Sequence, residues 1–470
     1  MGFFDGAQIE AGVTSVQDEV EKIQKALTAG YGTDSAQFSG GRALIPEDLE
    51  GEVISVVSML KDDCKAMNTM KTTPVRSTVH EVNLRLDHGD WKHITVEEGG
   101  ESVDSDQTID RKTYPVKYMQ ARRAVTKQME LVDTFEGALA SEKIAGIETI
   151  IKSAEYQCFQ GDAAIIPTQF DGFLAAIRKA PAAERNIINL AGQTVGSYGA
   201  KVFDEISAMV RHQGGILEKA FFPIALSKDV KEMFADKMRY VINQPLGNLS
   251  FKAIPDYGTS TGATIALSGD GAGDDLFYEV KGTVVAEGNA AKRPAAPASV
   301  TAAAAAGSDS EFTASDAGDY NYAVHAVNAY GISAGTEVSG AVTVAGGNVV
   351  TLTITPGTGP RATGFIICRS KKDGTEVMEM DKIPNSGEAT TTFVDKNEEL
   401  PGTASMLFLT AKRIQPVYTF AQLMPVCTYP LAPVNAAETP FLVMMFGGLE
   451  VHAPKFCALV KDISYKGGLY

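Results

Sequence analysis

Three histidines, His80, His88 and His93, fall close together and share their neighbourhood with Asp87 and Asp90. Imidazole and carboxylate are metal ligands and proton-transfer groups, so chemistry is first sought here. A metal centre needs its ligands at one point. These residues spread along a strand and a loop tip, so no metal is expected. The run Gly269-Asp270-Gly271-Ala272-Gly273-Asp274-Asp275 is acidic and glycine-rich, yet it lacks the ligand spacing and closing Glu of a calcium loop. A flexible connection is the expectation.

Five cysteines, Cys64, Cys158, Cys368, Cys427 and Cys457, are scattered with no CxxC pair. An odd, dispersed set argues for buried reduced thiols and against a disulfide framework or structural zinc. Paired carboxylates for glycoside chemistry could hide among 58 acidic residues, but Trp91 is the single tryptophan, and sugar clefts use several aromatic platforms. The chain is read as lacking a GxSxG nucleophile elbow, a GxxxxGK[ST] phosphate loop and an HExxH zinc helix. The reading is therefore no catalytic residue, no cofactor-binding residue, no metal ligand and no enzyme.

The formal net charge is -16, with 42 basic residues. DNA binders cluster Lys and Arg, so this chain does not seek nucleic acid by charge. Its acidity suits a protein that stays near DNA without adhering to it. The start, Met1-Gly2-Phe3-Phe4-Asp5, is not a secretory signal, and no apolar run reaches the roughly 18 residues of a membrane span. A cytoplasmic beginning is expected. At 470 residues, 44% apolar and 21% charged, the chain should fold as two or three domains.

The elements that would position these side chains follow from periodicity. Ile9, Val13, Val16, Val20, Ile23 and Leu27 make a heptad stripe, predicting a helix over 8–29. Its role is either a self-associating arm or a surface helix on its own domain. A second helix should begin at Pro46 and run through Val53, Val56, Val57 and Leu60. Val82, Leu84 and Leu86 alternate with Glu81, Asn83 and Arg85, which predicts a strand over 78–86. Tyr114, Val116 and Tyr118 predict another over 114–120. The polar excursion Asp87 to Arg111 between them makes an extended hairpin with an acidic tip. Such an arm buries little on its own domain, so it should pack on a neighbour.

Residues 134–160 carry the longest helical pattern. Asp133 with Glu136 resembles a capping box, and Ile144, Ile147, Ile151, Ala154 and Cys158 form one stripe ending at Gly161. At about 1.5 Å per residue this helix spans roughly 40 Å. Beyond it, a helix Lys201 to His212, a strand Phe221 to Leu226 and a helix capped by Ser227 and running through Val241 indicate α+β structure.

Between Pro294 and Pro401 the chain turns rich in Ala, Gly, Thr and Val. Tyr320, Tyr322, Val324 and Ala326 share a face, as do Val350, Leu352 and Ile354. Phe365–Arg369 and Thr391–Val394 are further strands. Short strands at this spacing mean a β-sandwich. The run from Tyr320 to Ser333 resembles the penultimate strand of fibronectin type III modules. Gly364-Phe365-Ile366-Ile367-Cys368-Arg369 resembles their third strand, here in reversed order. The final segment, too short for its own core, should complete the preceding domain, which makes the sandwich an insertion.

This order of elements resembles the Hong Kong-type (HK97-like) capsid fold of tailed phages. Within that group it resembles the major capsid proteins of Twort-like large contractile-tailed phages. The residues carrying the likeness are Gln169-Phe170-Asp171-Gly172-Phe173-Leu174 after Gly161-Asp162-Ala163, and Phe393-Val394-Asp395-Lys396-Asn397-Glu398-Glu399-Leu400-Pro401. Leu423-Met424-Pro425, Tyr429-Pro430-Leu431-Ala432, Ala453-Pro454-Lys455 and Lys25-Ala26-Leu27-Thr28-Ala29-Gly30-Tyr31-Gly32 complete them.

The resemblance implies an α+β fold with an N-terminal arm at 1–75 and an E-loop hairpin with flanking P-domain strands at 76–130. A P-domain with its spine helix follows at 131–200 and an A-domain at 201–293. An immunoglobulin- or fibronectin-like sandwich is inserted at 294–401, and 402–470 completes the A- and P-domains. It further implies self-assembly into hexamers and pentamers of an icosahedral shell around double-stranded DNA. Scaffold, portal and accessory head proteins would be partners, no membrane would be involved, and the location would be the virion. Some relatives cross-link a hairpin lysine, but nothing marks Lys92, Lys112 or Lys117 for that role. Some relatives also remove an N-terminal segment, and a cut near Gly30 is not expected here. The competing expectation is a secreted carbohydrate-active or adhesive protein carrying one fibronectin-like module, which would show an aromatic cleft and linker-borne modules.

Overall fold

The computed structural model describes residues 64, 66–67, 70–102, 104–132, 137–233, 240–243, 248–251, 256–269, 281–410, 416–433 and 437–465. The two N-terminal helices, the Asp133–Glu136 capping box and the acidic run from Asp270 to Asp275 lie outside these residues.

The long helix spans Ala138–Gln160. It lies across a four-stranded sheet ordered Thr72–Pro74, Tyr418–Pro430, Glu438–Val451, Lys117–Thr126. The first pair is parallel and the other two are antiparallel. Ile150, Ala154, Cys158 and Phe159 enter a core with Met119, Phe420, Phe441, Val443 and Met445. Full burial of a side chain like Phe159 contributes about 1.5–3 kcal/mol. The predicted stripe is right at its C-terminal end and wrong at its start. Ile144 is 60% exposed, and Gly146 and Ile150 face the sheet instead. A Cβ at Gly146 would stand 2.8 Å from Val443 Cγ2, so this face is shaped by a missing side chain. Gly161 closes the helix for the same reason: a Cβ there would lie 2.3 Å from the Phe170 carbonyl oxygen.

A six-stranded sheet runs in the order Ile187–Asn189, Ala458–Ile463, Ala404–Leu409, Lys219–Phe222, Thr264–Gly269, Asp256–Gly258. Its core takes Val202, Phe203, Ile206 and Val210 from the helix Lys201–His212, the span expected. Two expected elements differ. The strand stops at Phe222, and the next helix starts at Ile224. Pro223 lacks the N–H a ladder needs and has the φ a helix start prefers. Ser227 is thus inside the helix, donating to the Ile224 carbonyl at 2.7 Å, and is not its cap. Tyr240–Asn243 is a strand paired with Asn248–Phe251, as suits β-branched Val241 and Ile242, where a helix was expected.

Between these strands the chain builds an all-β region. Five strands run in the order Glu287–Gly288, Gly331–Glu337, Tyr322–Asn328, Gly364–Ser370, Val377–Pro384. Three more run Ser299–Ala306, Asn348–Thr355, Thr391–Asp395, and Gly318–Tyr320 pairs with Val342–Val344. Tyr320, Tyr322, Val324 and Ala326 meet Val350, Leu352, Ile354 and Phe365 in one core. Tyr322–Asn328 and Gly364–Ser370 are buried on both faces. Their second face packs Ala323, Val327, Ile366 and Cys368 against Ile165, in the loop after the long helix.

Candidate assembly hairpin and the charged clusters behind it

Val79–Arg85 pairs antiparallel with Ile109–Pro115, in register from Val79 opposite Pro115 to Arg85 opposite Ile109. No residue of either strand is buried. Val82 and Leu84 share the better-covered face with His80, as the alternation predicts. The second strand departs from its pattern. Val116 is buried but Tyr118 is 52% exposed, so the two do not share a face. At Val116 the chain changes partner, from the hairpin to Glu438–Val451, and its phase slips by one residue.

The tip between the strands exposes Leu86, Trp91, Ile94 and Val96, with Trp91 at 72% and Ile94 at 56%. Asp87 fastens its base. Its Oδ1 accepts from the Gly89 and Thr108 amides at 3.0 and 3.1 Å, and these bonds hold its pKa below the usual carboxylate range. Asp90 accepts from the Lys92 amide at 3.0 Å, and its Oδ2 stands 2.8 Å from His93 Nδ1. Both acids organise the loop. His93 is at the tip and His80 at the root, so the three histidines do not converge. Among the described residues no three His, Cys, Asp or Glu side chains form a metal-sized group.

At the root, His80 Nδ1 lies 2.7 Å from Oε1 of buried Glu450. Thr419 Oγ1 donates to the other Glu450 oxygen at 3.3 Å and stands 3.1 Å from His452 Nε2. Lys112 Nζ and the Tyr114 hydroxyl both donate to the Val451 carbonyl, at 3.3 and 2.7 Å. Burial, then the charges of Lys112 and His80, push the His452 pKa down to about 4. Sequence reasoning found His80 and missed its partner.

A second cluster joins the all-β region to the six-stranded sheet. Lys281 Nζ donates to Glu399 Oε2 and, at 3.2 Å, to Asp462 Oδ1. Lys461 Nζ donates to Glu399 Oε1 at 2.9 Å, and the Leu400 amide donates to Asp462 Oδ1 at 3.0 Å. The Lys281 amide also donates to the Thr403 carbonyl, so the segments entering and leaving the region are tied together. Burial works against the Glu399 charge, but Lys281, Arg178 and Lys461 outweigh it and hold its pKa at about 2. Inside the region Arg369 Nη1 donates to Asp395 Oδ2 at 2.7 Å, as does the Tyr322 hydroxyl at 2.8 Å.

Two stretches do have GxSxG spacing, contrary to the expectation: Gly258-Thr259-Ser260-Thr261-Gly262 and Gly331-Ile332-Ser333-Ala334-Gly335. A nucleophile elbow is a strand-to-helix turn with an exposed hydroxyl. Ser260 instead sits in the turn between two paired strands, Asp256–Gly258 and Thr264–Gly269, with no helix after it. Ser333 lies within the strand Gly331–Glu337 at 1% exposure. Its Oγ accepts from the Ala326 amide and donates to the Ala334 carbonyl, each at 2.8 Å. His325 Nδ1 approaches the Ser333 carbonyl and not its hydroxyl. The hydroxyl is a structural bridge between strands. None of the five cysteines is in a disulfide; burial pushes the Cys457 thiol up to about 12 and raises those of Cys158 and Cys368. These three are poor nucleophiles.

Comparison with known proteins gives end-to-end likeness. The chain is 27% identical over 472 residues to a protein assigned as the major capsid protein of Enterococcus phage phiEF24C, covering 97% of each chain. It is 25% identical over 478 residues to the major capsid protein of Staphylococcus phage S25-3, and likewise to that of Staphylococcus phage K, covering 97% of this chain and 99% of each relative. Among solved structures, the Gordonia phage Cozz chain is 10% identical with a TM-score of 0.46, covering 93% of this chain and 97% of that one. The capsid of a native GTA particle is 10% identical with a TM-score of 0.46, covering 92% and 100%. No protein-family model matches the chain.

Proposed function

We propose that this chain is the major shell subunit of a tailed-phage head, self-assembling in the virion around double-stranded DNA. The observation carrying this reading is the likeness to major capsid proteins along 97% of the chain and nearly all of each relative. A likeness spanning both whole lengths concerns the protein's overall role and not one shared module.

On this reading the exposed hairpin is the E-loop, and the four-stranded sheet with Ala138–Gln160 is the P-domain. The six-stranded sheet is the A-domain. The sandwich is an inserted immunoglobulin- or fibronectin-like domain that decorates the outer surface. Interfaces carry the function, and catalysis is no part of it. Scaffold, portal and accessory head proteins are further partners.

The mechanism follows from burial. A hairpin without buried residues gains little by folding against its own subunit. Its apolar tip gains on a second copy, where covering a side chain the size of Ile or Val contributes about 1.5–3 kcal/mol. A ring of subunits repeats that gain at every junction. The acidic tip must therefore meet a surface that tolerates or compensates its charge.

The test is Trp91→Asp combined with Ile94→Asp. The expected result is an unchanged melting temperature with assembly lost, read by light scattering and sedimentation. Assembly at the parent's rate and yield would refute the assigned role of the tip.

A further inference from the structure

Shell formation calls for a projecting hairpin but not for a buried charge beneath it. Glu450 is 1% exposed and sits where the hairpin leaves the four-stranded sheet. One of its oxygens faces His80 of the first hairpin strand at 2.7 Å. The other accepts from Thr419 at 3.3 Å and lies 4.0 Å from His452 Nε2. The second hairpin strand reaches the same place through Lys112 and Tyr114, both bonded to the Val451 carbonyl. The Tyr114 ring stands edge-on to His452, with centroids 5.8 Å apart.

Beyond this cluster neither hairpin strand buries a residue, so the root is where the subunit holds the hairpin's direction. A buried carboxylate costs several kcal/mol unless it is well paired, and an apolar filling would serve stability better. Apolar contacts slide, whereas a hydrogen-bonded carboxylate has one good geometry and loses it over a fraction of an ångström. Such a contact divides the hairpin's settings into held and released.

We infer that Glu450 is a latch that fixes the angle of the hairpin through His80, and that releasing it frees the hairpin to take other directions. Its consequence for shell size rests on the shell-forming reading, while the latch itself does not.

The experiment compares the parent protein with Glu450→Gln and His80→Ala. Amide hydrogen exchange is followed in residues 79–85 and 109–115, and particle diameters are measured by electron microscopy. The expected result is exchange at least tenfold faster in both hairpin strands, unchanged exchange in Glu438–Val451, and a broadened diameter distribution. His80→Ala removes only the hairpin's half of the contact, so it decides the matter if Glu450→Gln fails to fold. Exchange equal to the parent's in the hairpin of His80→Ala overturns the latch. Faster exchange without any particles from the parent keeps the latch and overturns the shell reading instead.

Discussion

Among the described residues Arg369 is the largest side chain hidden almost completely, at 2% exposure. Its guanidinium is held by Asp395 and Asn397 and lies over the rings of Phe312 and Tyr320. Removing one partner of a buried pair strands the other's charge, so Asp395→Ala should cost about 3–5 kcal/mol. Replacing both, with Arg369→Met and Asp395→Leu, should cost much less. Urea unfolding checks this, and equal losses would contradict the pairing. Acid should act at two other residues. His452 has its pKa pushed down to about 4 from the ordinary 6.5, so the unfolded chain binds the proton more readily. Stability is therefore full above 6.5 and falls as pH drops from 6.5 to 4. Glu399, held at about 2 from 4.5, contributes stability above 4.5 that is lost as pH falls through 2. The expected outcome is that His452→Gln flattens the first window and Glu399→Gln the second in melting temperature against pH. A parallel profile for either variant would contradict the assignment.

At the scale of elements, what could be read from the sequence was what has a period. Lys201–His212 stands where it was expected, and the hairpin's first strand alternates as written. The long helix was legible in extent but only partly in orientation: Ala154 and Cys158 of the expected stripe reach the core, while at the start of the helix Gly146 and Ile150 face the sheet in place of Ile144. The deciding residue is Gly146, which acts through having no side chain. Gly146→Ala should destabilise by about 1–3 kcal/mol through overpacking against Val443, although alanine is the better helix former. A gain in the urea midpoint would show that this helix face has room to spare. The clusters were not legible at all. His80 and Glu450 are 370 residues apart, and Lys281 and Glu399 are 118 apart. No spacing rule reaches that far, since only the sheet topology brings such residues together. The GxSxG matches err the other way: the letters are present twice, but Ser333 is in a buried strand and Ser260 in a strand-to-strand turn, and neither is a strand-to-helix elbow.

At the scale of the whole molecule, the Lys281–Glu399–Asp462 cluster ties the all-β region to the six-stranded sheet. If the sandwich stabilises neighbours or touches the host surface, joining residue 293 to 402 should give particles that melt earlier or infect less well. Full stability and infectivity would remove that role. The central claim is self-assembly, and negative-stain electron microscopy of the purified full-length protein tests it most directly. Shells, sheets or hexamers are the predicted result; a persistent monomer with hydrolase activity would contradict it.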